Sequence, residues 1–168
     1  MRKIFFREVQ RFRQPLIWLL IVPIILLQWW GAFQQLILKK PFGTNPAPDA
    51  MLLIFWLLFG IGLPILFLAL RLETEVRRDG FYFRFYPLHI SYRKLAFKEL
   101  QSYQAVKYSP LRDYLGWGIR YGPKGKAYNV SGNKGLRVKL QNGKEVLFGS
   151  QKPDELVMAI EAARERLT

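Results

Sequence analysis

The chain has 168 residues, 51% of them hydrophobic, and its 26 Lys and Arg against 12 Asp and Glu give a formal net charge of +14. It has no cysteine, which excludes a disulfide framework, a thiolate metal site and a cysteine nucleophile. The basic balance could serve nucleic acid, but no run of Lys and Arg with interleaved aromatic residues forms a recognisable reader, so no nucleic-acid partner is expected.

Residues 1–14 are basic and aromatic. Their apolar residues Ile4, Phe5, Val9 and Phe12 fall loosely on one face of a helix, which predicts a basic amphipathic segment in the headgroup layer. We expect an anchor that sets orientation; the alternative is a lipid sensor or a partner-binding arm. The basic side chains expected near anionic lipid, here and after the second apolar run, are Arg2, Lys3, Arg7, Arg11, Arg13, Arg71, Arg77 and Arg78.

Two uncharged apolar runs follow, Leu16–Leu38 and Ala50–Leu70. Each is long enough to cross a bilayer core of roughly 30 Å as a helix. The loop between them is rich in proline and cannot span lipid, so the sequence predicts a transmembrane helical hairpin over residues 15–71. The alternative is a buried helix pair in a soluble core. Basic residues flank the hairpin on both sides, which predicts a two-pass protein of the cytoplasmic membrane with both termini in the cytoplasm.

Several polar or small residues interrupt the two runs. Gln28 lies deep in the first run, and Gly60 and Gly62 lie in the second. Lipid gives helices no hydrophobic reason to associate, so a deep amide and small residues favour contact with another helix. We predict that these three residues contact a partner subunit; the competing interpretation is that the hairpin satisfies them internally. Gln34 and Gln35 lie nearer the interface, where water can hydrate them.

Beyond Arg71 the sequence alternates between apolar and polar residues in short stretches bounded by turn residues. Asp79-Gly80 and Asn142-Gly143 fit tight hairpin turns, and Pro153 begins an amphipathic helix that is predicted to run to Leu167. For residues 72–168 we predict an α+β domain, a strongly bent antiparallel sheet of roughly seven strands capped by the C-terminal helix.

Three segments of this region carry a resemblance. Tyr114–Arg120 (YLGWGIR), Ala127–Gly135 (AYNVSGNKG) and Gly149–Pro153 (GSQKP) resemble uncharacterised bacterial membrane proteins with two N-terminal spans and a bacterial pleckstrin-homology-like domain. The resemblance covers nearly the whole chain and implies that fold and a membrane address. It implies no reaction, because a fold alone does not define a function. Eukaryotic members of the fold grip inositol phosphates through the first hairpin loop, and the corresponding turn at residues 77–80 is too tight for that.

Catalytic chemistry finds little support in the sequence. His89 is the only histidine, and the carboxylate pair Glu73 and Glu75 fits an exposed, salt-linked strand. One histidine with scattered carboxylates has no metal-ligand spacing. We therefore expect no enzyme activity, no catalytic residue, no metal and no cofactor.

The best candidate for an interaction site is the segment from Tyr114 to Arg120. Gly116 and Gly118 bracket Trp117, so the backbone there can adopt conformations that a side chain forbids. Trp, Tyr and Arg are the residue types that dominate interaction hot spots. The alternative is that Trp117 belongs to the core and that Arg120 pairs with a carboxylate such as Asp113.

These observations lead to a prediction of function without catalysis. We expect a membrane-anchored interaction module, an accessory or assembly subunit of a membrane protein complex, whose partners are the lipid bilayer and other membrane protein subunits. The alternative is a membrane-surface domain that responds to anionic lipid.

The predicted topology can be tested with single cysteines, since the chain has none of its own. A cysteine at Thr44 should be labelled by a membrane-impermeant reagent in intact cells, and a cysteine at Ser109 should be labelled only after lysis. The reverse pattern would contradict the orientation derived from the Lys and Arg distribution.

Overall fold

The structure is a computed structural model that describes residues 4–166, so Arg2, Lys3 and the predicted helix end at Leu167 lie outside the described residues. The chain forms two compact units. Residues 12–69 make the first, and residues 4–11 together with residues 70–166 make the second. Each unit is described by itself.

The first unit contains two apolar helices, Pro15–Ile37 and Asp49–Ala69, which are each long and apolar enough to cross a membrane. Both predicted helices are thus confirmed, with ends shifted by one residue. The last turn of the first helix, Phe33–Ile37, and the middle of the second, Trp56–Gly62, are π-helical. π-Helical turns leave some carbonyl oxygens without their usual helical partner, so they can accept from side chains.

Two glutamines order the loop between these helices. The Gln35 Nε2 donates to the Ala47 carbonyl at 2.7 Å and to the Asp49 carboxylate at 2.8 Å. The Gln34 Nε2 donates to the Pro41 carbonyl at 3.1 Å. The expectation of simple hydration therefore misses their role, because the irregular loop leaves carbonyl oxygens that need donors and these amides supply them.

The second unit contains nine strands in two sheets among its described residues. The first sheet is antiparallel throughout, in the order β1-β2-β3-β4. Its strands are β1 (Ile4–Arg11), β2 (Arg71–Arg77), β3 (Gly80–Tyr86) and β4 (Arg93–Leu95). The β2–β3 hairpin places Arg78 and Asp79 in its loop and pairs Gly80 with Arg77, one residue earlier than the predicted turn.

Strand β1 corrects the expectation for the N-terminal segment. Its described part is extended and pairs with β2 in an antiparallel ladder, so the loose helical spacing of its apolar residues is not realised. The backbone groups of β1 that face β2 gain partners, and Arg7 lies opposite Glu75 as a favourable cross-strand pair. The partner strand begins some 60 residues later in the chain, out of reach of any local periodicity.

The second sheet has the order β5-β8-β9-β7-β6. Its strands are β5 (Leu100–Lys107), β6 (Gly118–Gly122), β7 (Gly125–Asn129), β8 (Lys134–Leu140) and β9 (Glu145–Gly149). Strands β7 and β9 are parallel, which departs from the predicted all-antiparallel sheet. Between β3 and β5 the chain forms the short strand β4 and one 3₁₀ turn, Phe97–Glu99.

An aromatic core joins the two sheets. Phe83 of β3 packs on Phe148 of β9 and Tyr128 of β7, with ring centroids 4.6 and 4.9 Å away. The C-terminal helix, Pro153–Glu165, buries its apolar stripe of Leu156, Ile160 and Ala163. The α+β class and the C-terminal helix are therefore confirmed.

Side-chain hydrogen bonds attach β1 to the end of β9. The Glu8 carboxylate accepts from the Ser150 hydroxyl at 2.6 Å and from the Gln151 backbone N–H at 2.8 Å. The buried Gln10 Nε2 donates to the Gly149 carbonyl at 2.7 Å. The GSQKP segment thus serves to hold the N-terminal strand.

Replacing Glu8 by alanine should lower the free energy of unfolding of the second unit by about 1–3 kcal/mol, because two donors lose a charged acceptor. Denaturant unfolding of the full chain in mild detergent measures this. Glu161→Ala, on the exposed side of the C-terminal helix, is the control. Equal stability of the two variants would show that these hydrogen bonds contribute nothing net.

Candidate functional site

The segment that carries the candidate interaction residues begins with a short helix, Pro110–Tyr114. Pro110 occupies its first turn, where its missing N–H costs nothing. The Asp113 carboxylate accepts from the Ser109 backbone N–H at 3.0 Å, which closes the N-terminus. The helix ends at Leu115, whose φ of 58° is left-handed, so the chain turns sharply there.

Asn129 holds the turn that follows. Its side chain is fully buried; the Oδ1 accepts from the Gly118 N–H at 2.9 Å, and the Nδ2 donates to the Gly116 carbonyl at 3.5 Å. Gly116 and Gly118 have φ values of 129° and 115°, which L-residues with a side chain rarely adopt. One buried amide therefore fixes both glycines, and the segment is pre-organised before any partner arrives.

Tyr114 anchors this segment from below. It is 1% exposed, and its ring packs edge-on against Tyr108 at 5.9 Å, beside Ala127 and Leu147. Burial raises the pKa of Tyr108 to about 12, so this phenol stays protonated at physiological pH. Tyr114 is thus positioned to support a surface and not to form one.

The exposed part of the segment is apolar and basic. Leu111 is 61% and Leu115 is 79% exposed, and they lie one helical turn apart. The Arg120 side chain is exposed, and its Nε donates to the Trp117 carbonyl at 3.0 Å. We call Leu111, Leu115, Trp117 and Arg120 the apolar-basic loop.

Two expectations for this loop can be compared with the structure. Asp113 pairs with Lys124 at 3.1 Å, so the alternative in which it pairs with Arg120 is wrong. Trp117 is half-buried, and its Nε1 has no acceptor among the described residues. The indole is therefore neither a complete core residue nor a free surface residue.

A second polar cluster lies on the outer face of the first sheet. Glu73 accepts from the Arg71 Nε at 2.6 Å, from the Arg84 guanidinium at 2.9 Å and from the Tyr92 hydroxyl at 2.5 Å. Glu75 accepts from the Arg77 guanidinium at 2.7 Å and from the same Tyr92 hydroxyl at 3.0 Å. The pair is salt-linked as expected, but it is buried and not exposed, since the arginine and tyrosine side chains cover it.

Burial and hydrogen bonding act in opposite directions on Glu73. Burial raises its pKa, but hydrogen bonds from Tyr92, Arg84 and Arg71 outweigh it, so the net pKa lies below the ordinary value of 4.5. Burial and the adjacent carboxylates raise the pKa of Tyr92. The cluster therefore keeps its carboxylate ionised and its phenol protonated at neutral pH.

This cluster also engages part of the set expected near anionic lipid. Arg7, Arg71 and Arg77 pair with Glu75 or Glu73, and the guanidinium groups of Arg71 and Arg77 lie over tyrosine rings. The exposed members of the set within the described residues are Arg7, Arg11, Arg13 and Arg78. The charge that remains to attract lipid is smaller than a count of arginines indicates.

His89 is packed among aromatic rings. Its centroid lies 5.8 Å from that of Tyr128 and 6.4 Å from that of Phe83. Burial and the nearby cations Arg93 and Lys126 lower its pKa, so the imidazole is neutral at pH 7. Within residues 4–166, no group of three or more His, Cys, Asp and Glu side chains could hold a metal ion.

The helical unit brings two of its three candidate residues together. The Gly60 carbonyl accepts from the Trp29 Nε1 at 3.1 Å. A Cβ at Gly60 would lie 2.9 Å from the Trp56 ring and 3.5 Å from the Gln28 Cβ, so Gly60 and Gln28 meet inside the hairpin. Gly62 is exposed, and a Cβ there would meet only a carbonyl of its own helix.

Sequence reasoning missed three residues that shape the candidate site. In the sequence, Leu111 and Leu115 are ordinary apolar positions. They are exposed because the short helix turns Tyr114, and not the leucines, toward the core. Asn129 stood inside the AYNVSGNKG segment without an assigned role. Its signal was a buried-strand pattern that ends in an amide, which needs a partner.

Comparison with known proteins adds a family but no function. The sequence model of one family matches residues 2–166, and the chain belongs to that family, described as a family of unknown function (DUF6141). No curated protein and no solved structure matches the chain.

Replacing Asn129 by alanine should release the turn, because the Gly118 N–H and the Gly116 carbonyl both lose their partner. We expect a loss of about 1–3 kcal/mol in the free energy of unfolding and faster amide hydrogen exchange in residues 115–120. Asn133→Ala, an exposed turn position, is the matched control. Unchanged exchange at residues 115–120 would contradict the role given to Asn129.

The buried carboxylate makes stability depend on pH. The folded-state pKa of Glu73 is lowered, so its contribution is present above the ordinary value of 4.5 and is lost as the pH falls through the folded-state value. Glu73→Gln should be destabilised by roughly 3 kcal/mol at pH 7, since its arginine partners keep their charge but lose the carboxylate that compensates it. The difference from the wild type should shrink as the pH is lowered from 6 to 3, measured by denaturant unfolding. A pH-independent difference would contradict this assignment; Glu161→Gln is the control.

Proposed function

We propose that this protein is a non-catalytic, membrane-anchored interaction module, an accessory or assembly subunit of a membrane protein complex. The observation that carries the proposal is the apolar-basic loop. It exposes two leucines and an arginine on a backbone that a buried amide holds in one conformation. Such a rigid, amphipathic surface suits protein recognition, because little conformational entropy is lost when a partner binds.

The proposed membrane anchor is the pair of helices. Their outward positions are apolar along the whole length; Leu19, Leu26, Ile54 and Leu68 are among the exposed side chains. A soluble protein rarely leaves so large an apolar surface in water, whereas lipid accepts it. With the basic residues on either side of the hairpin, this supports a two-pass protein of the cytoplasmic membrane whose folded unit lies in the cytoplasm.

For the folded unit we retain the pleckstrin-homology-like description as part of the proposal, together with the resemblance to bacterial proteins. Two sheets around an aromatic core and a C-terminal helix support it. Strand β1 and the parallel pair of β7 with β9 are features beyond the expected pattern.

The second candidate function, a response to anionic lipid, rests on the net charge of +14. Ion pairs with Glu73 and Glu75 already engage Arg7, Arg71 and Arg77. The tight β2–β3 turn contains one arginine, Arg78, whose neighbour Asp79 pairs with Lys94. A headgroup-reading site in this region therefore has less support than a protein-binding loop.

The proposal predicts that a photoreactive residue at Leu115 forms a discrete adduct with another membrane protein in cells. The same residue at Asn142, in the exposed β8–β9 turn, should form none. Combining Leu115 labelling with Arg120→Glu should reduce the adduct, because the reversed charge opposes the partner. Adducts of equal yield at both positions, or adducts with lipid alone at Leu115, would contradict the proposal.

Contact through the helices needs a different variant. Gly60→Leu would clash with Trp56 and loosen the hairpin itself. Gly62→Leu changes an exposed position and leaves the contact between Gly60 and Gln28 in place. If the spans also bind the partner, Gly62→Leu should lower co-purification in mild detergent by more than the small loss of thermal stability from its 3.2 Å contact with the Leu57 carbonyl explains. Full retention of the partner would restrict recognition to the cytoplasmic loop.

A further inference from the structure

The exposed loop between β3 and β4 carries apolar residues that the proposed protein-binding site does not use. Leu88 is 63% and Ile90 is 80% exposed, and between them His89 turns inward onto Phe83 and Tyr128. The Ile90 backbone is held by the Arg84 guanidinium, which donates to its carbonyl at 3.2 Å. Two large aliphatic side chains are therefore presented to solvent by a loop that is fixed on both sides.

The strand register puts this loop at one end of the strands of the first sheet. Arg71 pairs with Arg11 on one side and with Tyr86 on the other, so these three residues lie side by side at that end of the strands. The loop begins directly after Tyr86. Leu88 and Ile90 thus lie near the Arg71 end of the sheet and away from the Arg78–Asp79 turn.

The chain enters and leaves the two apolar helices at this same end of the sheet. The second helix ends at Ala69, two residues before Arg71, and the first begins at Pro15, four residues after Arg11. A two-residue connection spans at most roughly 7 Å. If the helices cross a membrane, covalent connection alone keeps Arg71 within reach of the bilayer surface.

The charge around the loop complements an anionic surface. Arg93 follows the loop directly and is exposed, and exposed Arg11 lies opposite Arg71 at the same end of the sheet. The guanidinium of Arg84, also beside the loop, pairs with Glu73. Exposed aliphatic side chains next to cations are the combination that inserts into the headgroup layer of anionic lipid. A protein partner would explain the exposure of Leu88 and Ile90 equally well. It would not explain why they lie at the end of the sheet that is joined to the helices.

We propose that Leu88 and Ile90 insert into the interface of the anionic bilayer that the protein's own helices cross, so that this end of the sheet lies against the membrane. This inference depends on the membrane anchoring proposed above. It concerns a permanent contact with lipid and not a site that recognises a particular headgroup. Its consequence is that the folded unit presents the apolar-basic loop to partners in a restricted orientation.

Spin labels on single cysteines test this in the full chain, reconstituted in vesicles of phosphatidylglycerol and phosphatidylethanolamine. Labels at Ile90→Cys and, separately, Leu88→Cys should collide more often with oxygen than with a water-soluble nickel chelate, which is the signature of immersion in lipid. A label at Arg78→Cys, on the opposite end of the β2–β3 ladder and about 20 Å away along the strands, should show the reverse. All three sites are exposed, so labels there leave the core intact.

The outcomes separate the inference from the anchoring proposal. A label at Leu27→Cys, an exposed position within the first helix, reports whether the hairpin is in lipid. If Leu27 is immersed but Leu88 and Ile90 behave like Arg78, the inference is overturned and the anchor stands. If Leu27 is not immersed, the anchor itself fails.

Two further outcomes would also overturn the inference. Spin–spin broadening at Ile90 that disappears on dilution with unlabelled protein would assign the loop to a second copy of the chain. Immersion of equal depth in vesicles of phosphatidylcholine alone would remove the role given to the cations. A shallower position in phosphatidylcholine is the expected result.

Discussion

The pairing of β1 with β2 is the constraint on which the rest of this structure depends. These strands are neighbours in the sheet although the whole helical pair lies between them in the chain, so the two helices form an insertion in a single β-hairpin. Antiparallel pairing requires the chain to come back to the end of β1 after the helices, where Arg11 lies opposite Arg71. Strand β1 can therefore join the first sheet only when both ends of the helical insertion are brought together.

The segments that best mark this sequence have structural roles in the fold. The end of β9 accepts Gln10, and Ser150 and Gln151 donate to Glu8, so GSQKP attaches β1. Asn129 of the AYNVSGNKG segment holds the glycines of the YLGWGIR segment. Four of these five contacts are buried or half-buried, and such polar contacts are costly to leave incomplete, so they restrict the residues that can occupy them. The proposed recognition of a partner depends on exposed residues nearby.

Electrostatics in the folded unit is mostly internal. Glu73 and Glu75 are covered by arginine and tyrosine side chains that bond to them and stack over one another, so much of the positive charge on β2 and β3 is already compensated. Beside the β3–β4 loop, Arg84 pairs with Glu73, whereas Arg93 is exposed and has no acidic neighbour in the sequence between positions 80 and 98. The distribution of charge, more than its total, distinguishes the surfaces of this protein.

The sequence by itself determined the two apolar helices and the amphipathic C-terminal helix, and it located the β2–β3 turn to within one residue. Each of these depends on local properties: continuous hydrophobicity, a turn residue that tolerates a positive φ, or a repeat near 3.6 residues. The same local signals predicted that Tyr114–Arg120 would form a constrained turn, because two glycines bracket an aromatic residue.

Only the tertiary structure decided the remaining features. Strand β1 looked loosely helical because its partner strand begins at Arg71, and the parallel pairing of β7 with β9 joins segments that are not consecutive strands. Glu73 and Glu75 looked exposed because the side chains that bury them come from β3 and from Tyr92 near β4. Exposure at Leu111, Leu115 and Ile90 likewise depends on which side of each segment the core covers. These are long-range relations, and no periodicity within a strand or a turn contains them.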